Sequence, residues 1–126
     1  MRVGTFTVPA VVRNPRHPER SVALDLLVET GAGATWTLLP ADIVTQLDLP
    51  TPWRRSVTLA SGDPVTYATG EVALQLDGEE LTTIFLAGPL GALGLLGAVT
   101  LEQFGLAPDP VKKALVRVGG MLAAGR

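Results

Sequence analysis

In the segment Leu24-Asp25-Leu26-Leu27-Val28-Glu29-Thr30-Gly31-Ala32 an acid, Glu29, leaves an apolar run straight into a glycine turn. Val22, Leu24, Leu26 and Val28 alternate with Ala23, Asp25, Leu27 and Glu29, the period-two pattern of a strand with one face in a core. Glu29 therefore stands at a strand end. Gly31, Ala32, Gly33 and Ala34 strip side-chain bulk from the turn that follows, so backbone can approach backbone and its N–H groups can point at a carboxylate. Such a turn suits a held acid. The plain alternative is an exposed glutamate ahead of a Gly-rich turn.

Other reactive chemistry is scarce. The chain has no Cys, which excludes disulfides, thiolate metal sites and cysteine nucleophiles and leaves the redox compartment open. Its single histidine, His17, lies in Asn14-Pro15-Arg16-His17-Pro18, a turn composition, and without Cys partners it makes neither a His-rich zinc site nor a Ser-His-Asp triad. It reads as a solvated turn residue, and no metal or other cofactor is expected. A formal net charge of −2 gives no basic field for nucleic acid, and Arg54-Arg55 and Lys112-Lys113 are isolated pairs. The N-terminal Met1-Arg2-Val3-Gly4-Thr5 lacks an apolar leader core, and no apolar stretch reaches the ~18 residues of a membrane span. The expectation is a soluble, cytoplasmic protein with neither nucleic acid nor membrane as partner.

The elements that must position Glu29 follow from pattern. A length of 126 residues is that of a single domain, residues 1–126, with 119–126 as a tail. Aromatic residues are only 5%, so the core must come from Val, Leu, Ile and Ala. Residues 2–13 read as a strand bent near Pro9, joined through a turn at 14–20 to the strand ending at Glu29. Thr35 to Leu39 is a short β-branched segment, and Pro40 opens a helix over about 41–47, ended by Pro50 and Pro52. Ser56 to Leu59 and Val65 to Thr69 flank Ala60-Ser61-Gly62-Asp63-Pro64, a hairpin tip. Val72, Leu74 and Leu76 alternate, Asp77-Gly78-Glu79 reverses the chain, and residues 81–86 return. Residues 88–94 form a mobile small-residue loop before Leu95-Leu96-Gly97; a short helix over 99–104, closed by Gly105, and a last strand over 114–118 complete the chain.

Two motifs in this order resemble those of the retropepsin-like, or retroviral-type, aspartic proteases, bacterial and archaeal members included. The first is the apolar-apolar-acid-Thr-Gly-Ala run at Leu27 to Ala32, which matches at every position except that Glu29 replaces the aspartate. The second is Leu95-Leu96-Gly97-Ala98-Val99-Thr100-Leu101, continuing to Leu106 and followed by Asp109-Pro110-Val111. The likeness covers about residues 3–118. It implies a mainly β, closed or partly open barrel of the acid protease type with two short helices, and an endopeptidase acting on peptides as a homodimer.

Carried over residue by residue, the resemblance makes Glu29 the catalytic acid, Thr30 the residue whose hydroxyl locks the active-site loops, and Gly31 the turn residue beside the reacting water. Ala32 is implied as the small residue under the site, and Ser61, Gly62 and Asp63 as the tip of a substrate-covering flap over 59–67. Gly97 is implied as the packing glycine behind the catalytic loop. Viral members brace that loop with an arginine after the glycine, where this chain has Ala98 and Val99. The mechanism needs two carboxylates, one ionised and one protonated. Asp25, four residues back and so roughly 13 Å from Glu29 along a strand, is too distant to be the second. A two-fold dimer supplies it. The longer glutamate leaves a second reading open, a catalytically weak or inactive member that binds extended peptide, and a third, a small β-barrel interaction domain unrelated to proteases.

Overall fold

The computed structural model describes residues 5–29 and 34–120. The chain begins with a long hairpin, β1 (Thr5–Asn14) and β2 (His17–Glu29), followed by β3 (Thr37–Leu39) and helix α1 (Ala41–Gln46). A second hairpin, β4 (Trp53–Thr58) and β5 (Pro64–Leu76), continues into β6 (Glu79–Ala87). Helix α2 (Ala98–Phe104) and a small hairpin, β7 (Leu106–Asp109) and β8 (Ala114–Arg117), complete it.

The main sheet runs β2-β1-β5-β6-β3, with β4 branching from β5. All its ladders are antiparallel except β3 with β6, which is parallel. The sheet curls into a partly open barrel around Val12, Leu26, Val28, Leu39, Leu74 and Phe85, each fully buried or nearly so. Each such side chain stabilises the fold by about 1.5–3 kcal/mol relative to exposure. The alternation read from residues 22–28 places Leu26 and Val28 inside and leaves Asp25 exposed, as a half-buried strand requires.

Four local expectations are revised. The β1–β2 turn is tighter than 14–20, so His17 is the first residue of β2 and not a turn residue, although its side chain is exposed. The register runs unbroken through Pro9, and its irregularity falls at Arg13/Asn14. Pro9 is tolerated because β5 pairs with β1 only at Val11 to Arg13, leaving β1 a single neighbour at the proline. Third, β5 is continuous from Pro64 to Leu76 through Gly70. Fourth, Leu106 to Asp109 is itself a strand, because it pairs with Ala114 to Arg117 across a turn in which Asp109 Oδ1 accepts the amides of Val111 and Lys112. Gly105 closes α2 in the left-handed region, as anticipated. Among the described residues no helix is long and apolar enough to cross a membrane.

Candidate functional site

Glu29 ends β2, half-buried, opposite Thr5 of β1. Thr30, Gly31 and Ala32 lie outside the described residues. The second motif docks against the chain on both sides of these residues. Leu95 forms a parallel bridge with Leu27, two residues before Glu29, and an antiparallel bridge with Leu38 of β3. The Leu27 amide donates to Gly94 O at 2.9 Å and the Leu96 amide donates to Leu27 O at 2.9 Å. On the other side Leu95 and Leu38 exchange both amide bonds at 2.9 Å. A single residue therefore spans the gap that the ladders leave between β3 and β2. The 88–94 loop, expected to be mobile, is anchored at both ends, since the Gly88 amide donates to Leu39 O at 2.8 Å.

Gly97 sits where backbone meets backbone. A Cβ there would lie 2.5 Å from Thr37 N and 2.7 Å from Thr35 O, closer than any side-chain carbon can approach. The Ala98 amide donates to Ala34 O at 2.9 Å and the Val99 amide to Thr35 O at 3.0 Å. These are amides of the first turn of α2, which have no partner within the helix. Backbone donors thus hold Ala34 and Thr35, the first described residues after Glu29. The Gly97 amide donates to Thr37 Oγ1 at 3.0 Å, and from Thr37 a run of hydroxyls continues through Thr100 to Thr83 and Gln103.

A cleft of about 570 Å³ lies between the β4–β5 hairpin and the segment from Ala34 to Leu38. Trp36, Leu38, Val57, Leu59, Tyr67 and Leu95 give it apolar side chains, with Thr35, Ser56 and Thr58 among them, the mixed character of a site that takes side chains of a bound molecule. Ser61, Gly62 and Asp63 occupy the hairpin tip, where Ser61 Oγ donates to Asp63 Oδ2 at 3.1 Å and the Leu59 amide to Asp63 O at 2.9 Å. They do not line the cleft themselves; the neighbouring Leu59 and Ala60 do. Among the described residues no cluster of three His, Asp or Glu side chains could hold a metal ion.

This architecture is similar to that of the EIAV protease complexed with the inhibitor HBY-793, with a TM-score of 0.56 and 19% identity over 79% of this chain and 88% of that one. The solution structure of the Simian Foamy Virus (mac) protease gives a TM-score of 0.51 and 15% identity over 79% of this chain and 94% of that one. The fold is that of the retroviral proteases. No protein-family model matches the sequence, and no curated protein sequence is significantly similar to it. At these identities the likeness is one of fold, and within the retroviral-protease fold the mainly β, partly open barrel with two short helices is as the motifs implied.

Several residues that shape the site escaped the sequence reading. Trp36 and Arg55 meet at the cleft, with the guanidinium carbon 4.6 Å from the centre of the Trp36 ring. Proximity of a tryptophan to the acid turn was the available signal for the first; Arg55 had none, since it read as half of an isolated basic pair. Asn14, buried under the first hairpin, donates to Leu47 O at 2.9 Å and Asp48 O at 3.2 Å, and its Oδ1 accepts the Arg16 and His17 amides. It ties the hairpin turn to the end of α1.

Proposed function

We propose that the chain is an aspartic-type endopeptidase that works as a two-fold homodimer, with Glu29 of each copy contributing one of two facing carboxylates. The observation that carries this reading is the double bridge of Leu95, which joins the acid-bearing strand end, the limb after the turn and the Leu-Leu-Gly motif in one backbone unit. Such a unit holds a carboxylate on rigid backbone, a requirement of proton-transfer catalysis. In the proposed step the ionised carboxylate takes a proton from water as its oxygen attacks the peptide carbonyl, and the protonated partner donates to the carbonyl oxygen. Collapse of the tetrahedral species then breaks the C–N bond, the amine leaving with the proton returned from the first carboxyl while one hydroxyl of the diol gives its proton back to the partner carboxylate, which yields the carboxylic acid and restores the singly protonated pair. Thr30, Gly31 and Ala32 serve this site as the resemblance implies, and the Ser61-Gly62-Asp63 tip acts as a flap that excludes water from the cleft.

A second reading is favoured by one observation, the glutamate itself. Its additional methylene displaces each carboxylate by about an ångström, enough to cost ~100-fold in rate. On that reading the cleft binds extended peptide without turning it over. Incubation of a diverse peptide library with the wild-type protein and with Glu29→Gln, alongside sedimentation of both, decides between them. Cleavage by a dimer that is lost in a still-dimeric Glu29→Gln supports the enzyme; peptide binding without cleavage supports the binding module; a monomer that does neither overturns both.

A further inference from the structure

Arg55 is placed beside the cleft by two features. It pairs directly with Tyr67 across the β4–β5 ladder, and directly opposed residues share a sheet face. Tyr67 and Val57, two residues along from Arg55, share that face and line the cleft together with Ser56 and Thr58, while Arg55 is exposed and stands beside the lining. Its guanidinium then lies 4.6 Å from the centroid of Trp36, which forms part of the opposite wall. Stacking on an aromatic face holds the planar group and leaves its edge N–H donors free to point along the cleft.

Arg13 is paired with Glu80, and Arg117 with Asp77 and Glu79. Arg55 has no carboxylate partner among the described residues, and no acid is among the described residues that line the cleft. The carboxylate at the hairpin tip, Asp63, accepts a hydrogen bond from Ser61. Beside a cleft with apolar side chains among its lining there thus stands a guanidinium resting on Trp36, a fork of donors whose natural complement is a carboxylate.

We propose that Arg55, held by Trp36, is a specificity determinant that selects extended peptides carrying a Glu or Asp side chain beside an apolar one. The inference rests on the peptide-binding reading of the cleft. The apolar side chain fills the space between Trp36, Val57 and Leu95, and the neighbouring acidic side chain reaches the guanidinium edge. Charge complementarity at a cleft mouth discriminates through both attraction of the acidic peptide and repulsion of a basic one.

The test uses acetylated, amidated octapeptides with a Leu-Phe centre and Gln at the flanking positions, each Gln replaced in turn by Glu and, separately, by Lys. Binding is read by intrinsic tryptophan fluorescence, for which Trp36 is a reporter in the cleft. At one flanking position Glu is expected to bind about tenfold more tightly than Gln, and Lys more weakly than Gln. The Glu/Gln ratio should shrink as salt lowers the Debye length from ~10 Å to ~3 Å. In Arg55→Gln the ratio should fall below about twofold, and Arg55→Lys, which keeps the charge without the planar fork, should retain part of it. Because the ratio compares two peptides on one protein, a general loss of affinity does not imitate the effect; if Arg55→Gln does not fold, the salt dependence of the wild type and the Arg55→Lys ratio carry the test. Wild-type protein that binds the peptides but treats Glu and Gln alike at every position overturns the role of Arg55 and leaves the peptide-binding reading standing. So does a Glu preference that survives in Arg55→Gln. Wild-type protein that binds none of the peptides overturns both.

Discussion

The hydroxyls of Thr37 and Thr100 lie 2.7 Å apart in the protein interior, and the direction of their hydrogen bond is determined by residues further along the chain of contacts. Thr83 donates to Gln103 Oε1 at 2.6 Å, because that oxygen can only accept. With its proton committed, Thr83 must accept from Thr100 at 2.9 Å, and Thr100 in turn must accept from Thr37. Thr37 is left with an acceptor that takes the Gly97 amide at 3.0 Å. All the bonds run one way, from the amide of the second motif, through three buried hydroxyls on β3, α2 and β6, to the surface.

Thr100→Val should therefore break the relay at its centre and leave Thr37 and Thr83 each short of a partner. The expected loss is about 2–3 kcal/mol of unfolding free energy, since unsatisfied buried polar groups cost ~1–3 kcal/mol each. Urea denaturation measures it, and Thr100→Ser, which restores the hydroxyl, should recover most of the difference. A loss smaller than about 0.5 kcal/mol for the valine variant is incompatible with a continuous relay.

Gly97→Ala should be among the least tolerated single changes in the chain. The added carbon meets backbone of Thr35, Trp36 and Thr37, which cannot move aside as a flexible side chain would. A destabilisation of at least ~2–3 kcal/mol is expected, with Gly120→Ala, which meets nothing within 4 Å, as the neutral control. Equal thermal midpoints for the two variants would contradict the packing described.

Glu29→Asp should preserve or raise peptide turnover. The shorter side chain removes the displacement of about an ångström that the extra methylene imposes on each carboxylate. Turnover of a peptide library by the aspartate and wild-type proteins measures this. If Glu29→Asp cleaves where the wild type does not, the native chain is a peptide-binding module; if neither cleaves any library peptide, the endopeptidase reading is wrong.

The tip of the β4–β5 hairpin should exchange its amides far faster than the core of β5. Residues 60–63 are exposed and tied only to one another and to Leu59, while Val72 and Leu74 are fully buried, Val72 paired with β6 and Leu74 flanked by both β1 and β6. Hydrogen exchange of the free protein should separate them, and a saturating peptide that crosses the cleft should slow exchange at 59–62. Protection of the tip equal to that of Val72, unchanged by peptide, would rule out a flap.

Local pattern made much of this legible. Alternation at Val22 to Val28 and at Val72 to Leu76, the prolines at 40, 50 and 52, and the glycines at 62, 78 and 105 each report on their own segment, because side-chain periodicity and backbone restriction act over a few residues. They located all the strands but Leu106–Asp109, both helices, the acid at a strand end and the hairpin tip. What lay beyond their reach depends on partners distant in sequence. A threonine in a strand looks the same whether its hydroxyl meets water or a buried relay, so Thr37, Thr83 and Thr100 could not be told from ordinary strand formers. Leu106 to Asp109 became a strand only by pairing with Ala114 to Arg117. Asn14 read as a turn residue because its own neighbours are Pro15 and Arg16, while its amide group is satisfied by Leu47 and Asp48. Arg55 acquired a direction only when β4 was laid beside β5 and brought over Trp36. Sequence alone determined which segments are extended, where they turn and which acid one of them delivers; tertiary structure decided what each polar group faces, because a hydrogen bond or a stacked cation is set by proximity in space and leaves no periodic trace along the chain.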